Sequence, residues 1–356
     1  MTRFLRSSIA ILSLLCCSTP ALAQKPKFTI GWSVYAGWNP WYYLGKSGIL
    51  KKWSDKYGVD IRVQRFDYAP SLDAFVAKNI DACAMTNMEA LDMPAASGID
   101  TTSIITGDYS NGNDALLARN GLTLQTLPGK NLLLVEKTVS QYLFERAFAL
   151  NGLESQIKKV KLTNTSDSDI VGAFGGDANM QAVVTWKPLV SQIAKMKGVK
   201  TLFNSSQIPG EIADLLVVRT EVLNTPAGRN FAKALTGAWY ELAKQMQGNG
   251  PAVDKVLKGI SEASQDTLES YKEQLSTTRF FFSPQAAVEL TRAPDFKQKM
   301  GLVKDFCFRH QLLGEGTKSP NDVAVKFPDG SIQGKTDRVR LRFDVSYMEM
   351  AAQGKL

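Results

Sequence analysis

Histidine is almost missing from this chain: His310 is the single one in 356 residues, and no cysteine or carboxylate with ligand spacing surrounds it. That excludes a histidine-based triad and argues against a structural zinc site; neither a metal nor a cofactor is expected. Cysteine is scarce too. Of four, Cys16 and Cys17 lie in the opening stretch. Cys83 and Cys307 remain, too far apart in sequence to judge a bridge, and Cys83 sits in an apolar run where a buried thiol is an equally good reading. No apolar run reaches the roughly 20 residues a bilayer-spanning helix needs. Also lacking are a Gly-x-Ser-x-Gly elbow, a phosphate loop and a His-Glu-x-x-His helix, and the glycine cluster Gly172-Ala173-Phe174-Gly175-Gly176 has the wrong spacing for a dinucleotide loop. Without a visible nucleophile–base pair, an enzyme is not expected. No repeat and no low-complexity linker interrupts the chain, which disfavours a scaffold.

What is present begins with a tripartite export pattern: Arg3 and Arg6, the apolar run Ile9 to Leu15, then Ala21-Leu22-Ala23 as a cleavage site. Residues 1–23 are thus expected to be a signal peptide and Gln24 the mature start, which places the protein in the periplasm. Leu14 and Leu15 before Cys16 do not suit a lipoprotein. The formal charge is +8, of which Arg3 and Arg6 carry two. The rest is spread in pairs such as Lys51-Lys52 and Lys158-Lys159, a solvated surface with no stripe for nucleic acid.

Two series of alternating strand and helix patterns follow. The first runs through Phe28–Val34, a helix from Pro40, Ile61–Asp67, a helix from Pro70, Ala82–Met85 and Ser103–Thr106. The second runs through Asn131–Val135, a helix from Val139 to Asn151, Val160–Thr163, a helix near Asp169–Phe174, Ala182–Thr185 and Thr201–Phe203. Beyond Leu215–Arg219 the pattern turns to long amphipathic helices, Ala227–Met246 the clearest. This predicts an α/β protein of two lobes, each a mainly parallel sheet flanked by helices. The expected division is 24–118 plus 214–356 for lobe 1 and 119–213 for lobe 2, joined by extended crossings near Asp114–Arg119 and Asp214–Val218 that act as a hinge.

Ligands in such sheets bind beyond the carboxyl ends of the strands. Those ends carry Trp32, Tyr35, Trp38 and Trp41; Asp67-Tyr68; Thr86-Asn87-Met88-Glu89; Asp108 to Asp114 with Asn113 between them; Glu136; Asn164 to Asp167; Trp186; and Glu211 with Asp214. The set is rich in carboxylates and rings, and its only basic members are Lys137 and Lys187. An anion pocket needs positive groups or free N–H donors. Carboxylates instead accept paired bonds from a planar N–H fork, and aromatic faces attract cations. The expected small-molecule ligand is therefore planar, cationic or neutral, and rich in N–H donors, held by Asp108, Asp114 and Glu136 between walls of Tyr35, Trp38 and Trp186. Trp32, Asn87, Glu89, Asn113, Asp167 and Asp214 complete the candidate site. Helix capping is the competing role for Asp67, Asp167 and Asp169, and core packing for the aromatic cluster.

The stretches Gly31-Trp32-Ser33-Val34-Tyr35-Ala36-Gly37-Trp38, Met85 to Leu91, Gly107 to Asp114, Asn164-Thr165-Ser166-Asp167 and Ile208 to Ile212 resemble the nitrate/sulfonate/taurine-type group of ABC-importer substrate-binding proteins. Within it they are similar to the branch encoded beside urea carboxylase. The resemblance implies a type II periplasmic-binding-protein fold with two crossovers, a ligand in the interlobe cleft, delivery to an ABC permease in the inner membrane, and action as a monomer. Together with the carboxylate-rich strand ends it places guanidinium first and urea next. A thiamine-precursor-like pyrimidine, or nitrate, sulfonate or taurine, is the alternative.

Overall fold

The computed structural model describes residues 24–356; the expected signal peptide, residues 1–23, lies outside the described residues. Thirteen strands run through the described residues: β1 Lys27–Trp32, β2 Asp60–Arg65, β3 Ala82–Thr86, β4 Thr101–Tyr109, β5 Ala115–Ala118, β6 Asn131–Leu134, β7 Lys161–Asn164, β8 Met180–Thr185, β9 Lys200–Asn204, β10 Ala213–Arg219, β11 Ala324–Lys326, β12 Ile332–Gln333 and β13 Val339–Phe343. They form an eight-stranded sheet in the order β12-β11-β13-β4-β10-β3-β1-β2 and a five-stranded sheet in the order β7-β6-β8-β5-β9.

The centre of the large sheet is covered on both faces, so its strands read as unbroken apolar runs rather than alternating ones. Every residue of β3 and β10 is buried, as is all of β4 but its last residue. β1 pairs parallel with β2 and β3, whereas β10 lies antiparallel between β3 and β4 in the registers Leu215↔Met85 and Leu216↔Ile105. Both sheets are mixed: parallel pairings predominate in the large sheet, as expected, and in the small sheet β6 pairs parallel with β7 and β8 while β5 runs antiparallel to its neighbours. The cause is topological: β10 re-enters the large sheet from the small one and must run against its neighbours.

The lobe boundary also moves. β5, which the sequence reading placed in lobe 1, lies inside the small sheet, antiparallel to β8 at Leu116↔Val184 and to β9 at Leu116↔Phe203. All four of its residues are buried, and such a strand needs a neighbour on each side to satisfy its backbone. The first crossing is thus residues 110–114 and the second 205–212. The two are tied together: Ser110 N–H donates to Ile212 O at 3.0 Å, the Ser110 and Ser205 hydroxyls lie 2.7 Å apart, and Ser205 N–H reaches Asp114 O at 2.9 Å.

The C-terminal third is more than helices. β13 extends the large sheet, parallel to β4 at Leu341↔Thr101. Its Val-Arg-Leu-Arg-Phe alternation buries one residue in two. Cys83 and Cys307 are both buried and both free, and burial pushes the Cys83 thiol up to about 12.

Candidate ligand-binding site

The carboxyl ends of β1, β3 and β8 converge with both crossings on a small cavity of about 20 Å³ lined by Tyr35, Trp38, Tyr68, Thr86, Asp114, Val139, Trp186, Ile212 and Asp214. Space of that size admits only a few atoms. No lysine, arginine or histidine lines it.

The rings are arranged in series. Tyr35 packs edge-on to Trp38 with centroids 5.1 Å apart, Trp38 lies 5.2 Å from Tyr68, and Tyr68 meets Trp186 edge-on at 5.8 Å. Trp186 belongs to the small lobe, and its indole N–H donates to Val34 O of the large lobe at 3.2 Å. The wall therefore spans the cleft. Trp38 has no partner for its indole N–H.

Three carboxyls sit together at the end of β4, the first crossing and the start of β10. Asp108 is fully buried, and Asp114 and Asp214 are 3% exposed. Asp108 Oδ1 accepts from the Tyr35 hydroxyl at 3.3 Å. The Asp108 and Asp214 carboxyls are neighbours that influence each other's titration, and Oδ2 of each is buried without a hydrogen-bond partner among the described residues. Burial, far more than mutual repulsion, pushes Asp108 and Asp114 up to about 7 and Asp214 well above the carboxylate range. Charge without water or a counterion is costly, so these carboxyls hold their protons more tightly than exposed ones do. Gly37 permits this packing, since a Cβ there would stand 2.2 Å from Asp108 Oδ2.

The remaining predicted residues divide clearly. Asn113 braces the first crossing: its amide donates to the Tyr35 hydroxyl at 3.3 Å and its Oδ1 accepts from Thr277 at 2.6 Å. Asn87 fastens the second crossing, accepting from Ala213 N–H and donating to Glu211 O, each at 3.0 Å. Glu89 is buried and shared among Tyr68, Thr86 and the Val139 N–H. Asp167 Oδ2 accepts from Tyr68 N–H at 3.4 Å. Trp32 is buried core beside Tyr42. Glu136 is not among the residues that line the cavity: β6 ends at Leu134, and the half-exposed Glu136 donates its N–H to Asn164 Oδ1 at 2.9 Å. Lys187 turns away as well, toward Glu273 and Thr277.

Sequence reasoning passed over Tyr68 and Thr86 as ligand-lining residues, although both stand at strand ends. It had no signal for Tyr271, Thr277 and Thr278, which come from the helical C-terminal region. The Tyr271 hydroxyl donates to Ala36 O at 3.0 Å.

No family model and no curated protein matches the sequence. Solved structures do match in shape. The alkanesulfonate-binding protein SsuA from Xanthomonas axonopodis pv. citri superposes with a TM-score of 0.66 at 15% identity, over 82% of this chain and 95% of that one. The periplasmic aliphatic sulphonate-binding protein SsuA from Escherichia coli gives 0.63 at 16%, over 83% and 95%. The nitrate-binding protein NrtA from Synechocystis PCC 6803 gives 0.57 at 12%, over 92% and 98%. At such identity the likeness speaks for architecture alone. Two mixed sheets flanked by helices, joined by two crossings and closed over a cavity between them, make this an α/β chain of the periplasmic-binding-protein fold.

Proposed function

We propose that this chain is the periplasmic solute receptor of an ABC importer and that it captures a small, planar, N–H-rich cation, guanidinium before urea, by closing two lobes around it. One observation carries the choice of solute: two buried carboxyls, Asp114 and Asp214, line an interlobe cavity with aromatic walls and no basic side chain in its lining, and a third, Asp108, is buried behind Tyr35. A planar cation gives each carboxylate a donor, replaces the protons they hold when empty, and lies against Trp38 or Trp186. The structural neighbours named for sulfonate and nitrate binding support the receptor role, and the absence of positive groups in this lining separates the present solute from theirs.

Binding and closure form one equilibrium. The solute meets the large-lobe carboxyls and rings first, and the small lobe then brings Trp186 over it, excluding water and strengthening each charged bond. The closed form is presented to a permease in the inner membrane, the receptor acting as a monomer; no catalysis is involved. The test is a calorimetric titration of mature protein, unfolded and refolded to strip bound solute, with guanidinium, urea, taurine and a pyrimidine. Saturable guanidinium binding with no response to taurine is expected. Binding of taurine alone would overturn the choice of solute, while leaving the receptor role in place.

A further inference from the structure

The cavity wall includes the start of a helix, and helix starts attract anions through their free N–H groups and about half a unit of positive charge. Val139, a lining residue, is the first residue of the twelve-residue helix Val139–Leu150. Its N–H is already taken: it donates at 3.0 Å to Glu89 Oε1, which projects from the opposite lobe just past β3. The arrangement is mirrored across the cleft. Tyr68 begins the large-lobe helix Tyr68–Val76, and its N–H points at Asp167 Oδ2 of the small lobe, 3.4 Å away. Glu89 is 1% exposed, and its hydrogen-bond partners, the Tyr68 hydroxyl at 2.8 Å, the Thr86 hydroxyl and the Val139 N–H, are all uncharged. Three of this carboxylate's roughly four acceptor positions are thus filled by the protein itself.

We propose that Glu89, with Asp167 as its weaker counterpart, sets the charge selectivity of the cleft: each fills, from the opposite lobe, a helix start that an anionic solute would need. The helix end facing the cavity is occupied from within the protein, and in its ionised form Glu89, whose proton burial holds more tightly than water would, leaves the field there negative. The inference rests on the proposed function, since it explains why this copy of the fold would refuse an anion and accept a cation.

Guanidinium and urea share a shape and differ in charge, so the pair separates electrostatics from packing. In Glu89→Gln, which keeps an acceptor for Val139 and loses the charge, guanidinium affinity should fall about tenfold or more, as expected for a charge removed several ångströms away. Urea binding should be unchanged or newly measurable. Asp167→Asn, at a half-buried position that tolerates change, should show the same divergence at a few fold, and it carries the test if Glu89→Gln does not fold. Unchanged guanidinium affinity, or equal weakening of both solutes in a variant that keeps its melting temperature, overturns the selectivity role and leaves the proposed function intact. A wild-type protein that binds neither solute overturns both.

Discussion

Asp114 loses almost all contact with water, and no positive charge takes its place. The folded chain therefore holds its proton more tightly than the unfolded chain does: Asp108 and Asp114 rise to about 7 from an ordinary value of 3.8. Below pH 4 the contribution of these groups to stability is complete, and it is lost as pH climbs through 7. Ligand-free protein should thus lose melting temperature between pH 4 and pH 8 more steeply than Asp114→Asn does, with calorimetric scanning as the check. Cation binding has the opposite sign, because it requires the ionised form. Guanidinium affinity should be higher at pH 8 than at pH 5.5, with protons released on binding, detected as a heat that depends on the buffer. Asp114→Asn should cost roughly 2–4 kcal/mol of guanidinium binding free energy. Glu136→Ala should change the affinity less than threefold, since that residue does not line the cavity. In sequence the two carboxylates look alike, each just beyond a strand end. Only the tertiary path, with the first crossing folded inward and tied to the second, tells them apart.

At the scale of elements, the helix Val139–Leu150 couples the small lobe to the second crossing. Arg146 makes a two-pronged pair with Glu211, both bonds at 2.8 Å, and the Tyr142 hydroxyl donates to the same carboxylate. Charge-assisted, partly buried bonds of this kind are worth about 1.5–3 kcal/mol each way. Glu211→Gln should therefore lower stability by about 2 kcal/mol in denaturant unfolding and speed solute release in stopped-flow measurements. This helix is plain from its periodicity, as are the strands from β1 to β4 and from β6 to β10, because buried strands and amphipathic helices each have a distinct apolar period. Two features were less legible. β5 is a four-residue apolar run at a crossing, and nothing local says which sheet pairs with it. β13 has a clean alternation, yet its partner β4 lies more than 200 residues earlier, and pairing at that distance leaves no trace in neighbouring residues.

At the scale of the whole molecule the two lobes are tied across the cleft: Trp186 bonds to Val34, Glu89 and Asp167 reach opposite lobes, and the cavity has about 20 Å³. On the proposed closure, a solute enters when the lobes part, so small-angle scattering should show a larger radius of gyration for stripped protein than for protein saturated with guanidinium. The existence of two lobes and a cleft was legible from two βα series without a linker. The cavity lining was legible in part: Tyr35, Trp38, Asp114, Trp186 and Asp214 do meet at the cavity, whereas Trp32, Asn87 and Glu89 are held by the protein itself. The most direct test of the cation-capture account is a crystal structure of the refolded protein soaked with guanidinium. The account predicts a planar density in the interlobe cavity within hydrogen-bond distance of Asp114 and Asp214 and stacked on Trp38 or Trp186. An empty cavity in a saturated crystal, or an anion from the crystallisation medium seated among those carboxyls, would contradict it.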